Sequence, residues 1–280
     1  MTSPLPVPVG KQNAPRQSPP GLPRRVFITG ASSGLGQAFA RHYAAAGWQL
    51  GLAARRADRL DELARELGGA LAATYPLDVT DSAALASAAA DFCARFGAPH
   101  VVIANAGISV GTLTEESEDL VAFRRVLEVN VFGMAATFAP FLPAMKALRD
   151  GLPRRVVGIA SVAGIRGLPG AEAYCASKAA AIAYLESLRL ELAPSGIRAV
   201  TICPGYVDTP MTAVNPYPMP FLLPAAEAAR RMARAIDAGT GYAVVPWQMG
   251  VVAKLLRLLP NAVYDRLFGR AKRKPRGLPL

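Results

Sequence analysis

Short apolar runs alternate along this chain with longer amphipathic ones. "RVFIT" (25–29), "QLGLA" (49–53), "ATYPL" (73–77), "HVVIA" (100–104), "RVVGIA" (155–160), "RAVTIC" (198–203) and "YAVV" (242–245) read as strands. Most are apolar throughout rather than at every second residue, which is the pattern of strands covered by helices on both faces. Helical stretches are predicted between them, at 34–46, 57–67, 81–96, 117–148, 172–193 and 224–238. Regular alternation of strand and helix predicts an α/β domain built on a parallel sheet with right-handed crossovers. That domain spans residues 24–246. Residues 1–23 are proline-rich and polar and are expected to be disordered. Residues 247–280 comprise an amphipathic segment, "WQMGVVAKLLRLLP", and a basic tail.

Composition narrows the classes. The chain has 280 residues, 52% hydrophobic and 18% charged, enough apolar material for a substantial core. It contains no run of eighteen apolar residues, and its N-terminus has no apolar signal-peptide core. Cys93, Cys175 and Cys203 show no metal or disulfide spacing, and His42 and His100 lie far apart. No metal site is expected, and a reducing cytoplasm is. The net charge of +11 resembles a nucleic-acid signal, but residues 1–25 carry +4 and residues 266–280 carry +6, which leaves a nearly neutral body. No nucleic-acid partner is expected.

Two stretches carry candidate chemistry. "VFITGASSGLGQAFA" joins the first strand to the first helix with Gly30, Gly34 and Gly36 in the turn. Glycines there let backbone N–H groups approach an anion, and the helix that follows turns its positive end toward the same point. "AYCASKAAAIAYL" (173–185) sets Tyr174 and Lys178 one helical turn apart on the same face. The bland reading is a core tyrosine and a stray lysine; the sharper one is a phenol whose proton affinity is tuned by a cation.

In order along the chain, "TGASSGLG" (29–36), "ANAG" (104–107), Ser161 thirteen residues before "YCASK", and "PGYVDTPM" (204–211) resemble the motifs of the short-chain dehydrogenase/reductase family. Ala104 stands where the family's segment begins with Asn. The resemblance covers residues 24 to about 246. It implies a Rossmann-type doubly wound sheet of about seven strands in order 3-2-1-4-5-6-7 and nicotinamide-dependent interconversion of a carbonyl and a secondary alcohol. It further implies Asn130, Ser161, Tyr174 and Lys178 as the catalytic set. Implied cofactor contacts are Gly30, Ser32, Ser33, Gly34, Leu35, Gly36, Arg55, Asp78, Val79, Asn105, Ala106, Gly107, Tyr174, Lys178, Pro204, Gly205, Val207 and Thr209. Asn130 also emerges independently, as a polar residue inside the apolar stripe of the 117–148 helix. A buried amide needs partners, and local backbone would satisfy it as well as a relay water would.

The second strand ends "LAARRADRL": Ala54 occupies the position of the acid that would hold a ribose hydroxyl, and Arg55 and Arg56 follow. A guanidinium there suits a 2′-phosphate, so NADP(H) is expected over NAD(H). The resemblance implies Asp78 as the adenine contact; its own surroundings read equally as a loop residue before the next helix, where Thr80 or Asp81 would cap. Tyr174 would act as acid or base; a phenol titrates near 10, and Lys178 together with the nicotinamide is expected to pull that down. Ser161 would hold the substrate oxygen, and the resemblance implies that Lys178 also holds the nicotinamide ribose. A serine hydrolase is a poor rival, because "GIASVAG" lacks the G-x-S-x-G spacing and His100 starts a strand at the far end of the sheet. Cys175 reads as a packing residue.

The proline-broken segment after Gly205, with Tyr206, Met211, Tyr217, Met219, Phe221 and Leu222, points to an apolar or medium-sized substrate. The amphipathic C-terminal segment is expected to dock on the body or a partner subunit; a peripheral membrane contact is its rival. Family members form dimers or tetramers through the two long helices, so a homodimer or homotetramer is expected. The functional rival is a nucleotide-binding sensor or scaffold that keeps the fold with little turnover.

Overall fold

A computed structural model describes residues 23–69 and 71–277. The proline-rich stretch read as disordered, residues 1–22, lies outside the described residues, as do the last three residues of the basic tail. Nine strands form among the described residues: β1 (Arg25–Thr29), β2 (Gln49–Ala54), β3 (Ala72–Pro76), β4 (Val101–Ala104), β5 (Arg154–Ile159), β6 (Ile197–Pro204), β7 (Val207–Asp208), β8 (Leu223–Pro224) and β9 (Tyr242–Val245). Seven of them make one all-parallel sheet in order β3-β2-β1-β4-β5-β6-β9, the doubly wound arrangement the sequence predicts. The short β7 and β8 pair separately.

Both faces of the sheet are covered, as continuous apolar strands require. In β1, Phe27 points into a layer with Phe92, Phe141 and Met145, while Val26 and Ile28 point into the opposite layer with Phe39, Leu60 and Met232. The helices that supply these layers are α1 (Gly34–Ala45), α2 (Ala57–Glu66), α3 (Ser82–Phe96), α4 (Asp119–Leu127), α5 (Gly133–Phe138), α6 (Leu142–Ala147), α7 (Glu172–Leu192) and α9 (Ala225–Ala238), with a one-turn α8 (Pro210–Ala213) between β7 and β8. Asp81 caps α3, accepting from the N–H groups of Ala83 and Ala84. The strand order reverses between β1 and β4, which opens a crevice at the carboxyl ends of the strands.

The single helix read over 117–148 is corrected by the structure. It is α4, a π-turn at Glu128–Phe132, then α5 and α6. Pro140 has no N–H to continue the helix, and its ring crowds the preceding turn, so α5 stops at Phe138. The stretch Asp119–Ala147 is long and apolar enough to cross a membrane by length and composition, but half of its most apolar window is buried inside the protein. It is a core element.

The C-terminal segment forms α10 (Trp247–Leu258) and α11 (Asn261–Phe268) and lies on the body. Arg166 donates to the carbonyls of Leu256 and Leu259 and to Asn261 Oδ1, and its guanidinium sits 3.8 Å over the Tyr264 ring. The Tyr264 hydroxyl donates to Gly167 O at 2.7 Å. Part of the basic tail is neutralised on the protein itself: Arg276 faces Glu116, Glu118 and Asp119.

Candidate active site

One cleft of about 290 Å³ runs along the carboxyl ends of the strands. Every site residue read from the sequence lines it except Gly36 and Asn130. Its walls come from the β1–α1 turn (Gly30, Ser32, Ser33, Gly34, Leu35), the end of β2 (Arg55), the residues after β3 (Asp78, Val79) and after β4 (Asn105, Ala106, Gly107), Ser161 after β5, Tyr174 and Lys178 on α7, and Pro204, Gly205, Val207 and Thr209 around β6 and β7.

The β1–α1 turn is shaped for close approach. Gly30 has φ +67°, and a Cβ on it would stand 2.8 Å from Ala106 Cα. Gly36 keeps out of the cleft because its role is packing: a Cβ there would meet Gly30 O at 2.2 Å. Ser33 starts α1 in an extended conformation with no side-chain cap, and the first turn holds no acid. Uncapped N–H groups and the helix dipole therefore face the cleft, as a diphosphate requires. Thr29, which the sequence reading passed over as a site residue, ties this turn to β4: its Oγ1 accepts from the N–H groups of Asn105 and Ala106 at 3.1 and 3.3 Å. The Asn105 amide donates to Thr29 O and Gly30 O.

At one end of the cleft stand Arg55 and Arg56, both lining it; Arg56 donates to Ser32 Oγ at 3.0 Å. Asp78 is fixed by its own neighbourhood. Its Oδ1 accepts from the Thr80 N–H and hydroxyl, and Arg125 donates to Oδ2. Burial opposes its charge, yet these donors outweigh it and hold its pKa below the ordinary carboxylate value.

At the other end, Ser161 stands close enough to the Tyr174 hydroxyl to favour its ionised form, and its Oγ accepts from the Ala163 N–H at 3.1 Å. Lys178 is 4% exposed; its Nζ donates to Ile159 O at 2.8 Å and lies 5.7 Å from the Tyr174 ring centre. Burial lowers the Lys178 pKa to about 8 and raises that of Tyr174 to about 12, with the nearby Ser161 hydroxyl pulling the phenol the other way. The downward pull of the ammonium expected from the sequence is not what governs this phenol: desolvation does, and the ammonium is turned to a carbonyl. Tyr174 still keeps part of its surface open to the cleft.

Asn130 is fully buried in the π-turn. Its Nδ2 donates to Ile108 O and Ser177 Oγ, both at 3.0 Å, and its Oδ1 accepts from the Ile108 N–H at 2.9 Å. It thus clamps the loop after β4 to the helix that carries Tyr174 and Lys178. Cys175 and Cys203 are buried. Among the described residues no cluster of His, Cys, Asp and Glu could hold a metal ion.

A parallel sheet with its cleft at the order reversal, a glycine turn feeding an uncapped helix, and a Ser–Tyr–Lys cluster across from it define a dinucleotide-binding oxidoreductase fold. The chain belongs to the short chain dehydrogenase family, which matches residues 24–217. It is 37% identical to an uncharacterized oxidoreductase of Myxococcus xanthus over 86% of this chain and 95% of that one. A short chain dehydrogenase from Burkholderia cenocepacia, solved in complex with NADP, superposes with a TM-score of 0.75 at 27% identity, covering 88% of this chain and 98% of the other. One from Burkholderia phymatum, in complex with NAD, gives 0.76 at 25% identity, with 92% and 99% covered. The protein is an oxidoreductase of the kind that acts on CH–OH and C=O groups.

Proposed function

We propose that this protein interconverts a carbonyl and a secondary alcohol with NADP(H), on an apolar or medium-sized substrate. The observation that carries the reading is that Ser161, Tyr174 and Lys178 line the same cleft as the glycine turn. A nicotinamide cofactor bound in that cleft supplies or accepts the hydride.

Each residue then has a defined task. Ser161 Oγ holds the substrate oxygen beside the Tyr174 hydroxyl. A phenol with pKa near 12 is protonated at neutral pH and ready to donate to an oxygen gaining charge. Lys178, one helical turn away, stabilises the phenolate that remains and holds the nicotinamide ribose. Asn130 Oδ1 and Lys178 Nζ flank the same spot beside Gly107, 3.1 and 3.5 Å from where a Cβ on that glycine would stand. A water there would return a proton to Lys178. Arg55 and Arg56 favour a 2′-phosphate, supported by the lack of an acid at Ala54.

The reading is tested by screening ketones and secondary alcohols while following cofactor absorbance. Tyr174→Phe is expected to cut turnover at least ~100-fold, the contribution of a positioned acid, while leaving cofactor affinity within a few fold. Turnover that survives the substitution unchanged would refute the mechanism. Cofactor binding without turnover in the wild type would point instead to a sensor or scaffold.

A further inference from the structure

The tail beyond α11 packs behind the cleft wall, where Lys274 reaches Ser109 and the carbonyl of Met211. Pro275 O accepts from the Gly111 N–H at 2.9 Å, and the chain runs so close that a Cβ on Gly111 would stand 2.2 Å from Lys274 O. Arg276 anchors the crossing on three carboxylates. Lys274 differs from its neighbour. It is 8% exposed, and its Nζ donates to Ser109 Oγ at 3.0 Å and to Met211 O at 3.2 Å. Neither acceptor carries a charge, and among the described residues no carboxylate pairs with it. Met211 lines the cleft, and so does Ile108, the residue before Ser109. Among the described residues the one carboxylate on the cleft wall is Asp78, which is already engaged by Arg125 and Thr80.

A buried ammonium without a counter-ion is costly unless an anion joins it. Tail docking does not need this charge, because Arg276 and the Gly111–Pro275 bond supply it. We propose that Lys274 recognises an anionic group on the substrate, so that the preferred substrate is an oxo acid: a carbonyl compound with an apolar body and a carboxylate or similar oxyanion at its far end. This rests on the carbonyl–alcohol reading above and deepens it. The apolar segment after Gly205 accounts for the body of the substrate, and Lys274 for its end.

The test separates binding from chemistry. Full-length protein loaded with oxidised cofactor is titrated by calorimetry with 4-oxopentanoate and with 2-hexanone, a neutral ketone of similar size. A ketone with oxidised cofactor cannot react, so binding alone is read. The oxo acid is expected to bind at least ten-fold more tightly than the ketone. Lys274→Arg should keep that preference, and Lys274→Met, which keeps an apolar stem but no charge, should level the two. Equal affinities in the wild type, no binding of either, or a preference that persists in Lys274→Met would overturn the proposal. Reduction of both ketones is assayed in parallel with reduced cofactor. Lost turnover with the binding preference intact would sink the oxidoreductase reading and leave the anion site standing.

Discussion

Arg55 and Arg56 are adjacent in sequence but not equivalent in place. Arg56 is engaged with Ser32 of the glycine turn, whereas Arg55 lines the cleft with no such tie. A guanidinium–phosphate contact contributes ~1.5–3 kcal/mol, roughly ten-fold or more in affinity. Arg55→Ala is therefore expected to weaken NADP(H) binding about ten-fold and to leave NAD(H) unchanged in fluorescence titrations. Equal loss for both cofactors would remove Arg55 from phosphate recognition. Single residues with fixed spacing were the most legible part of the site: a Tyr and a Lys four apart, or glycines after a buried strand, keep their geometry wherever the element goes. Arg56's tie to Ser32 and Thr29's grip on Asn105 could not be read, because each depends on how separate elements abut. Lys274 left no signal at all. It sits a hundred residues from Tyr174 in what reads as a solvated charge run, and only the docked tail turns it inward.

Strands were legible because burial on both faces leaves a continuous apolar run. The 117–148 helix was not, because its apolar stripe hid both the break at Pro140 and the π-turn that holds the buried Asn130. A second element-scale feature lies at the opposite end of the sheet, where β1, β4 and β5 begin. His100 is 1% exposed; its Nδ1 accepts from the Arg25 N–H at 3.0 Å, and its Nε2 faces Asp150 at 2.8 Å. Burial, foremost, lowers its pKa below the ordinary 6.5, with Arg25 and Arg24 acting in the same direction and Asp150 opposing. The folded state therefore binds the proton less readily than the unfolded chain. The resulting stability is complete above pH ~6.5 and is lost as pH falls from there through the lowered folded value. Thermal melts from pH 7.5 to 5.5 should show a steeper fall for the wild type than for His100→Gln. At pH 7.5 the variant should be less stable by ~1–3 kcal/mol, the cost of leaving buried polar groups badly paired. Parallel pH slopes would show that His100 does not set this dependence.

For the whole molecule, the unpaired surface matters most. Leu120, Val121 and Phe132 along α4 and the π-turn, and Leu190 on α7, are 50–76% exposed. Trp247, Leu255 and Leu258 make a second apolar ridge on α10, 60–80% exposed and flanked by Lys254 and Arg257. The two patches differ in charge setting: cations interrupt the α10 ridge, and the α4 residues stand with both acids and bases nearby. Self-complementary association favours apolar surface with charges of both signs at its rim. We expect a homodimer formed through the α4 and α7 faces, with twice the 29.4 kDa chain mass by light scattering. Val121→Asp with Phe132→Asp should return it to a monomer while leaving cofactor binding intact, because neither residue lines the cleft. If only Trp247→Ser with Leu258→Ser breaks the dimer, the interface lies on α10 instead. A wild type that is monomeric and floats with anionic liposomes would assign the α10 ridge and its lysine and arginine to a lipid surface.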